Sequence, residues 1–164
     1  MMIQTEQELY GPVRAWFQAV LARRFPRHSV RAFDTSHKRV SSLIVQQGLQ
    51  AQFPQAGAWD IQADITALIV GRASRLAFVE CKKGPITLKD VGQLLGYSRV
   101  AQPVAAVLLS VEPLSDPLRT LLVTYGRYDI LEYNSDHSRI KIVQWDQRRG
   151  DVLHSQALPP GEHI

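Results

Sequence analysis

Two carboxylates and an ammonium stand at the ends of two apolar runs in the middle of this chain. Asp64 precedes residues 65–70, while residues 76–81 carry Glu80 near their end, with Lys82 directly after them. The runs have the aliphatic and β-branched content of buried strands, and Gly71-Arg72-Ala73-Ser74 between them is turn material. Charge on a buried strand is costly unless something uses it. With the turn centred on Arg72, the strands pair antiparallel and opposite residue numbers sum to 144. That register sets Leu68 against Leu76, Thr66 against Phe78 and Asp64 against Glu80. Lys82 shares their face because side chains repeat every second residue, and a bulge in the turn would break the constellation. Carboxylates about 5 Å apart at Cβ repel each other unless a cation sits between them. Their oxygen ligands suit Mg²⁺, with Mn²⁺ as a substitute, and leave Lys82 to serve a phosphate or an attacking water.

A helix follows, with Gln93-Leu94-Leu95-Gly96-Tyr97 on it. Together with Asp64 and Glu80-Cys81-Lys82, this pattern resembles the PD-(D/E)XK nuclease superfamily, in particular members with a Gln-x-x-x-Tyr motif after the active-site strand. The resemblance covers about residues 5–110, with Ala63 where the family has proline before the aspartate. It implies a restriction-endonuclease-like core and Mg²⁺-dependent hydrolysis of phosphodiester bonds in DNA, leaving a 5′-phosphate and a 3′-hydroxyl. Asp64 and Glu80 would hold the metal, Lys82 would position or deprotonate the water, and Gln93 and Tyr97 would face the substrate backbone and support the metal site. Family members often add a glutamate from the first helix, which makes Glu8 a further catalytic and metal-binding candidate. Its structural rival is a capping box at Thr5-Glu6-Gln7-Glu8, in which Glu8 only bonds a backbone amide.

The elements that position these residues are legible to different degrees. Gly11-Pro12 opens a first helix carrying Val13, Trp16, Phe17, Val20 and Leu21 on one face, ended by Pro26. Residues 29–35 read as a strand, and Val40, Leu43, Ile44 and Gln47 as a helix capped by Ser36 or Ser41 and ended by Gly48. Asp60 reads as a group near the site or as an exposed strand start. Thr87-Leu88-Lys89-Asp90 starts the next helix with a capping-box pattern, and Leu88, Val91, Leu94, Leu95 and Val100 form its buried face. Lys89, Gln93 and Tyr97 line a polar stripe, either solvated or across the site. Residues 104–110 read as a parallel strand, 114–122 as a helix, and 128–133 with 139–145 as an edge hairpin. The expected class is α/β, a central mixed sheet flanked by helices on both faces, in one domain over residues 1–164, with 146–164 a loosely ordered extension offering one short strand.

Composition sets the frame. At 45% hydrophobic and 21% charged, the chain is globular, and no apolar run approaches membrane-spanning length. With no signal-peptide pattern at the start, the expected location is cytoplasmic. The single cysteine cannot form an internal disulfide, and the histidines stand singly rather than at zinc spacing. The net charge of +4 is uneven: residues 11–59 carry seven basic side chains (Arg14, Arg23, Arg24, Arg27, Arg31, Lys38 and Arg39) against Asp34 alone. That third is ordinary solvated surface or a patch that faces phosphates. The expected partner is DNA, with a homodimer needed to cut both strands. The alternatives are a catalytically inactive nucleic-acid-binding module or subunit on the same fold, and a scaffold in which Glu80 and Lys82 form a salt-bridged strand end.

Overall fold

The computed structural model describes residues 4–164 and has an α/β architecture built on one mixed six-stranded sheet. Strands β1 (Ser29–Asp34), β2 (Ile65–Val70), β3 (Arg75–Lys82), β4 (Ala105–Ser110), β5 (Lys141–Asp146) and β6 (Asp151–Val152) lie side by side in chain order. The first three are mutually antiparallel, β4 and β5 run parallel to β3, and β6 returns antiparallel to β5. Thr66 faces Phe78 and Leu68 faces Leu76, as the Arg72-centred turn requires. Gly71 lets the His28 ring close over that turn, since a Cβ there would come within 2.6 Å of it and push the ring aside.

Strands β2, β3 and β4 read as unbroken apolar runs because both of their faces are covered. Ile65, Ala67, Ile69, Ala77, Val79 and Cys81 pack against helix α1 (Gln7–Arg24) through Leu9, Val13, Phe17 and Leu21. Leu68, Leu76, Phe78 and Leu108 meet helices α2 (Val40–Gln46), α3 (Leu88–Ala101) and α4 (Asp116–Arg119) on the other face. The two sets alternate along each strand, so every second residue belongs to a different core.

Several expectations are corrected. Helix α1 starts at Gln7 rather than Gly11, with Pro12 inside it on the exposed side; burial of Leu9 and Tyr10 extends the helix past the point that proline's first-turn preference indicates. Helix α2 has Arg39 at its N-cap instead of a serine, and Gly48 follows it at φ +69°. On α3 the buried residues are Val91, Leu94 and Ser98, while Leu88 and Val100 are 56% and 54% exposed. A four-residue α4 gives way to a π turn over Thr120–Thr124. Residues 128–131 form a 3₁₀ turn, and all that remains of the edge hairpin is one bridge from Glu132 to Arg139. Alternation alone could not separate that hairpin from the parallel pairing β5 adopts with β4, since Ile140 and Ile142 are buried in either case. The C-terminal stretch provides the short β6 but is not loose. Leu158 bridges to Ile142, and Glu162 pairs with Arg139 at 3.3 Å and also with Lys141. Among the described residues no helix is long and apolar enough to cross a membrane.

Candidate functional site

Asp64 enters the sheet at the start of β2, where the chain is fixed by buried hydroxyls. Thr35 donates its backbone N–H to the Asp64 carbonyl at 2.8 Å, and its hydroxyl meets that of Thr66 at 2.8 Å. The Asp64 carboxylate then ties two elements together. One oxygen accepts the Cys81 backbone N–H at 2.8 Å and the other accepts the Tyr10 hydroxyl at 3.1 Å. Cys81 lies between Glu80 and Lys82, so this bond holds Asp64 at the end of β3 that carries them. Burial, with the Asp64 carboxylate next, holds the Tyr10 phenol far above its ordinary pKa, so Tyr10 stays a donor.

Glu80 is 3% exposed, and among the described residues its buried Oε1 has no hydrogen-bond partner. Burial, then the neighbouring Asp64 carboxylate, pushes its carboxyl up to about 8, against the opposing pull of Lys82. Three other side-chain atoms, His28 Nδ1, Ser74 Oγ and Ser98 Oγ, are also buried without a partner among the described residues, but Glu80 is the one carboxyl in that group, and a carboxyl costs more to leave unpaired once ionised. Lys82, half-buried, lies 3.9 Å from Asp90 on α3. Burial alone would lower its ammonium, but Glu6, Glu80, Asp64 and Asp90 outweigh that and hold it above its ordinary value.

Glu6 was missed by sequence reasoning. Its carboxylate lies 3.5 Å from the Tyr10 hydroxyl and acts on Glu80 and Lys82. Glu8 is exposed and accepts the Gln4 backbone N–H at 2.7 Å, so the structure does not bring it to the site. Helical geometry explains the exchange: Glu6 is one turn before Tyr10 and shares its face, whereas Glu8, two residues before Tyr10, points well around the helix. Starting the helix at Gln7 in the sequence would have exposed this i, i+4 pair.

Gln93 and Tyr97 hydrogen-bond each other at 3.4 Å, Gln93 exposed and Tyr97 packed partly on the core. What α3 sends to Lys82 is Asp90, whose other oxygen accepts the Thr87 N–H at 2.8 Å and the Thr87 hydroxyl at 3.0 Å in the predicted capping box. Asp90, Gln93 and Tyr97 are spaced i, i+3, i+7, so they share one face of α3, of which Asp90 is the member that pairs with Lys82. The loop between Lys82 and α3 is latched by Ser110, whose buried hydroxyl donates to the Gly84 carbonyl at 2.7 Å and accepts the Glu112 N–H at 3.0 Å. Asp60 is exposed and pairs with Arg39 at 3.4 Å, remote from this cluster.

Among the described residues, no three His, Cys, Asp or Glu side chains gather as a ready-made ligand set. What fits a cation is Glu80 Oε1 beside Asp64, since Mg²⁺ commonly takes one or two carboxylates and fills its shell with water and phosphate oxygens. Compared with family models, with curated proteins and with solved structures, the chain matches none.

Proposed function

We propose that this protein is a divalent-metal-dependent deoxyribonuclease whose sheet is a restriction-endonuclease-like core of the PD-(D/E)XK type. The observation that carries the reading is Glu80: buried, next to a second carboxylate, with one oxygen unpartnered. Asp64 and Glu80 would hold the metal, and Mg²⁺ bound there supplies charge neutralisation at phosphorus and acidifies a water. The protein's own groups have distinct tasks. Tyr10 and the Cys81 amide fix Asp64, and Glu80 surrenders its proton when a cation arrives. Held protonated, Lys82 acts as a fixed positive charge toward a phosphate oxygen rather than as the base that takes the water's proton. Glu6 adds negative charge above the same site.

The test is cleavage of labelled DNA duplex ends, flaps, junctions and single strands with Mg²⁺ or Mn²⁺. Wild type should cut at least one, and Glu80→Ala should lose roughly a thousandfold in rate. Without metal, Glu80→Ala should leave DNA affinity essentially unchanged, because that carboxyl is held largely protonated, whereas Lys82→Ala should lose cleavage and also bind more weakly. A wild type that binds DNA yet yields no metal-dependent product would make the protein a binding module instead. A Glu80→Ala variant that cuts at the wild-type rate would move the activity elsewhere.

A further inference from the structure

Tyr125 is the one exposed Phe, Tyr or Trp side chain among the described residues, at 72%. It is not an isolated surface ring. It forms one wall of a groove of about 650 Å³ whose other walls are Leu121 and Pro117 from the α4 segment and Leu88 and Lys89 from the first turn of α3. Leu88, 56% exposed, is a second large apolar side chain left in water on the same groove. Leaving both open in so small a protein calls for a partner.

The backbone that holds Tyr125 is specialised. The π turn over Thr120–Thr124 is closed by the Tyr125 N–H on the Thr120 carbonyl at 3.0 Å, and Gly126 follows at φ +65°. π turns are rare and gather at functional sites. Here the wide turn leaves Leu118 and Leu122 buried while Leu121 and Tyr125 line the groove. The groove also adjoins the candidate site: Leu88 and Lys89 directly precede Asp90, which pairs with Lys82.

We infer that this groove receives one unpaired nucleobase of the substrate strand, stacked on Tyr125 between Leu88 and Leu121, with the exposed Lys89 ammonium toward the adjoining phosphate. The base's apolar face matches the groove walls, and the nearby lysine matches a phosphodiester charge, a pairing that single-strand binders use without reading sequence. The inference rests on the nuclease reading and sharpens it: the substrate has a single-stranded segment next to the scissile bond.

The test uses overhang DNA carrying the fluorescent base 2-aminopurine at successive positions, bound without metal so that nothing is cut. Quenching should appear at one position, disappear in Tyr125→Ala and persist in Tyr125→Phe, which keeps the ring. Affinity for the overhang should fall about tenfold in Tyr125→Ala, and that for blunt duplex should not change. Quenching unchanged in Tyr125→Ala and Leu88→Ser would overturn the inference. So would loss of a wild-type dimer in Tyr125→Ala without any change in quenching, which would make the groove a contact between copies. If position-specific quenching holds but no DNA is cleaved with Mg²⁺, the nuclease reading fails and the base site stands; cleavage without quenching gives the reverse.

Discussion

Where β4 and β5 begin, Arg139 meets Glu132 at 3.0 Å and Glu162 at 3.3 Å, His137 meets Glu132 at 2.9 Å, and Lys141 closes on Glu162. Where β3 ends, Glu80 is buried beside Asp64, and its Oε1 meets no partner among the described residues. Both ends contain perturbed groups. Burial and the nearby Arg139 and Arg24 push the Lys141 ammonium down, and it still has Glu162 as its ion-pair partner, while burial and Asp64 push Glu80 up. A shifted pKa therefore does not by itself separate structure from function. Pairing does. At the Arg139 end each acid faces a base and the pairs fasten the tail to the sheet, whereas at the Glu80 end two carboxyls lie side by side and Glu80 Oε1 has no partner among the described residues.

That contrast makes its largest prediction about pH. A carboxyl held protonated in the fold, with an ordinary value of 4.5 in the unfolded chain, favours folding at low pH; the contribution is full below that value and is lost progressively as pH rises toward about 8. Without metal, Glu80→Gln should match wild type near pH 4 and exceed it at pH 9 by on the order of 5 kcal/mol. Denaturant unfolding of both proteins at three pH values measures the gap, and a constant difference would mean that Glu80 is not buried as described.

At the paired end the expected effect is smaller and of a different kind. Glu162→Ala frees Arg139 and Lys141 and should cost about 1 kcal/mol of stability. Cleavage by the folded variant should be unchanged. If that variant lost activity while remaining folded, the two ends would not be functionally separate.

The smallest effect concerns DNA affinity. Helix α1 runs from Tyr10 at the candidate site to Arg24 beside Tyr133 and Lys141, so Arg23, Arg24 and Arg27 belong to the far end of the sheet. Lys38 follows Thr35, which is bonded to Asp64, and belongs to the near end. Lys38→Ala should reduce the salt slope of DNA binding by about 1, and Arg23→Ala or Arg27→Ala should leave it unchanged. Equal slopes for all three would return the basic third to a single undivided patch.

The hairpin register was legible because three signals agreed: a four-residue turn, two apolar runs of matched length, and carboxylates at matching ends. The capping box at Thr87 and Asp90 was equally local and equally readable. What escaped depended on which faces are covered. The choice of Glu6 over Glu8 turned on where α1 starts, and that is fixed by burial of Leu9 and Tyr10 against the sheet. Parallel pairing of β5 and the fastening of the tail by Glu162 are long-range contacts with no periodicity of their own. Gln93 and Tyr97 were placed correctly on a helix, but the residue that helix presents to Lys82 is Asp90, which capping chemistry had seemed to account for in full.

The most direct test of Glu80 as a cation ligand is calorimetric titration of Mn²⁺ into metal-free protein at pH 7, repeated in two buffers of different ionisation heat. With its carboxyl near 8, Glu80 is mostly protonated at that pH. Binding by wild type should therefore release about one proton per ion, and Glu80→Gln should lose both the binding and the release. Binding of equal strength in Glu80→Gln, or binding by wild type with no proton released, would contradict the assignment.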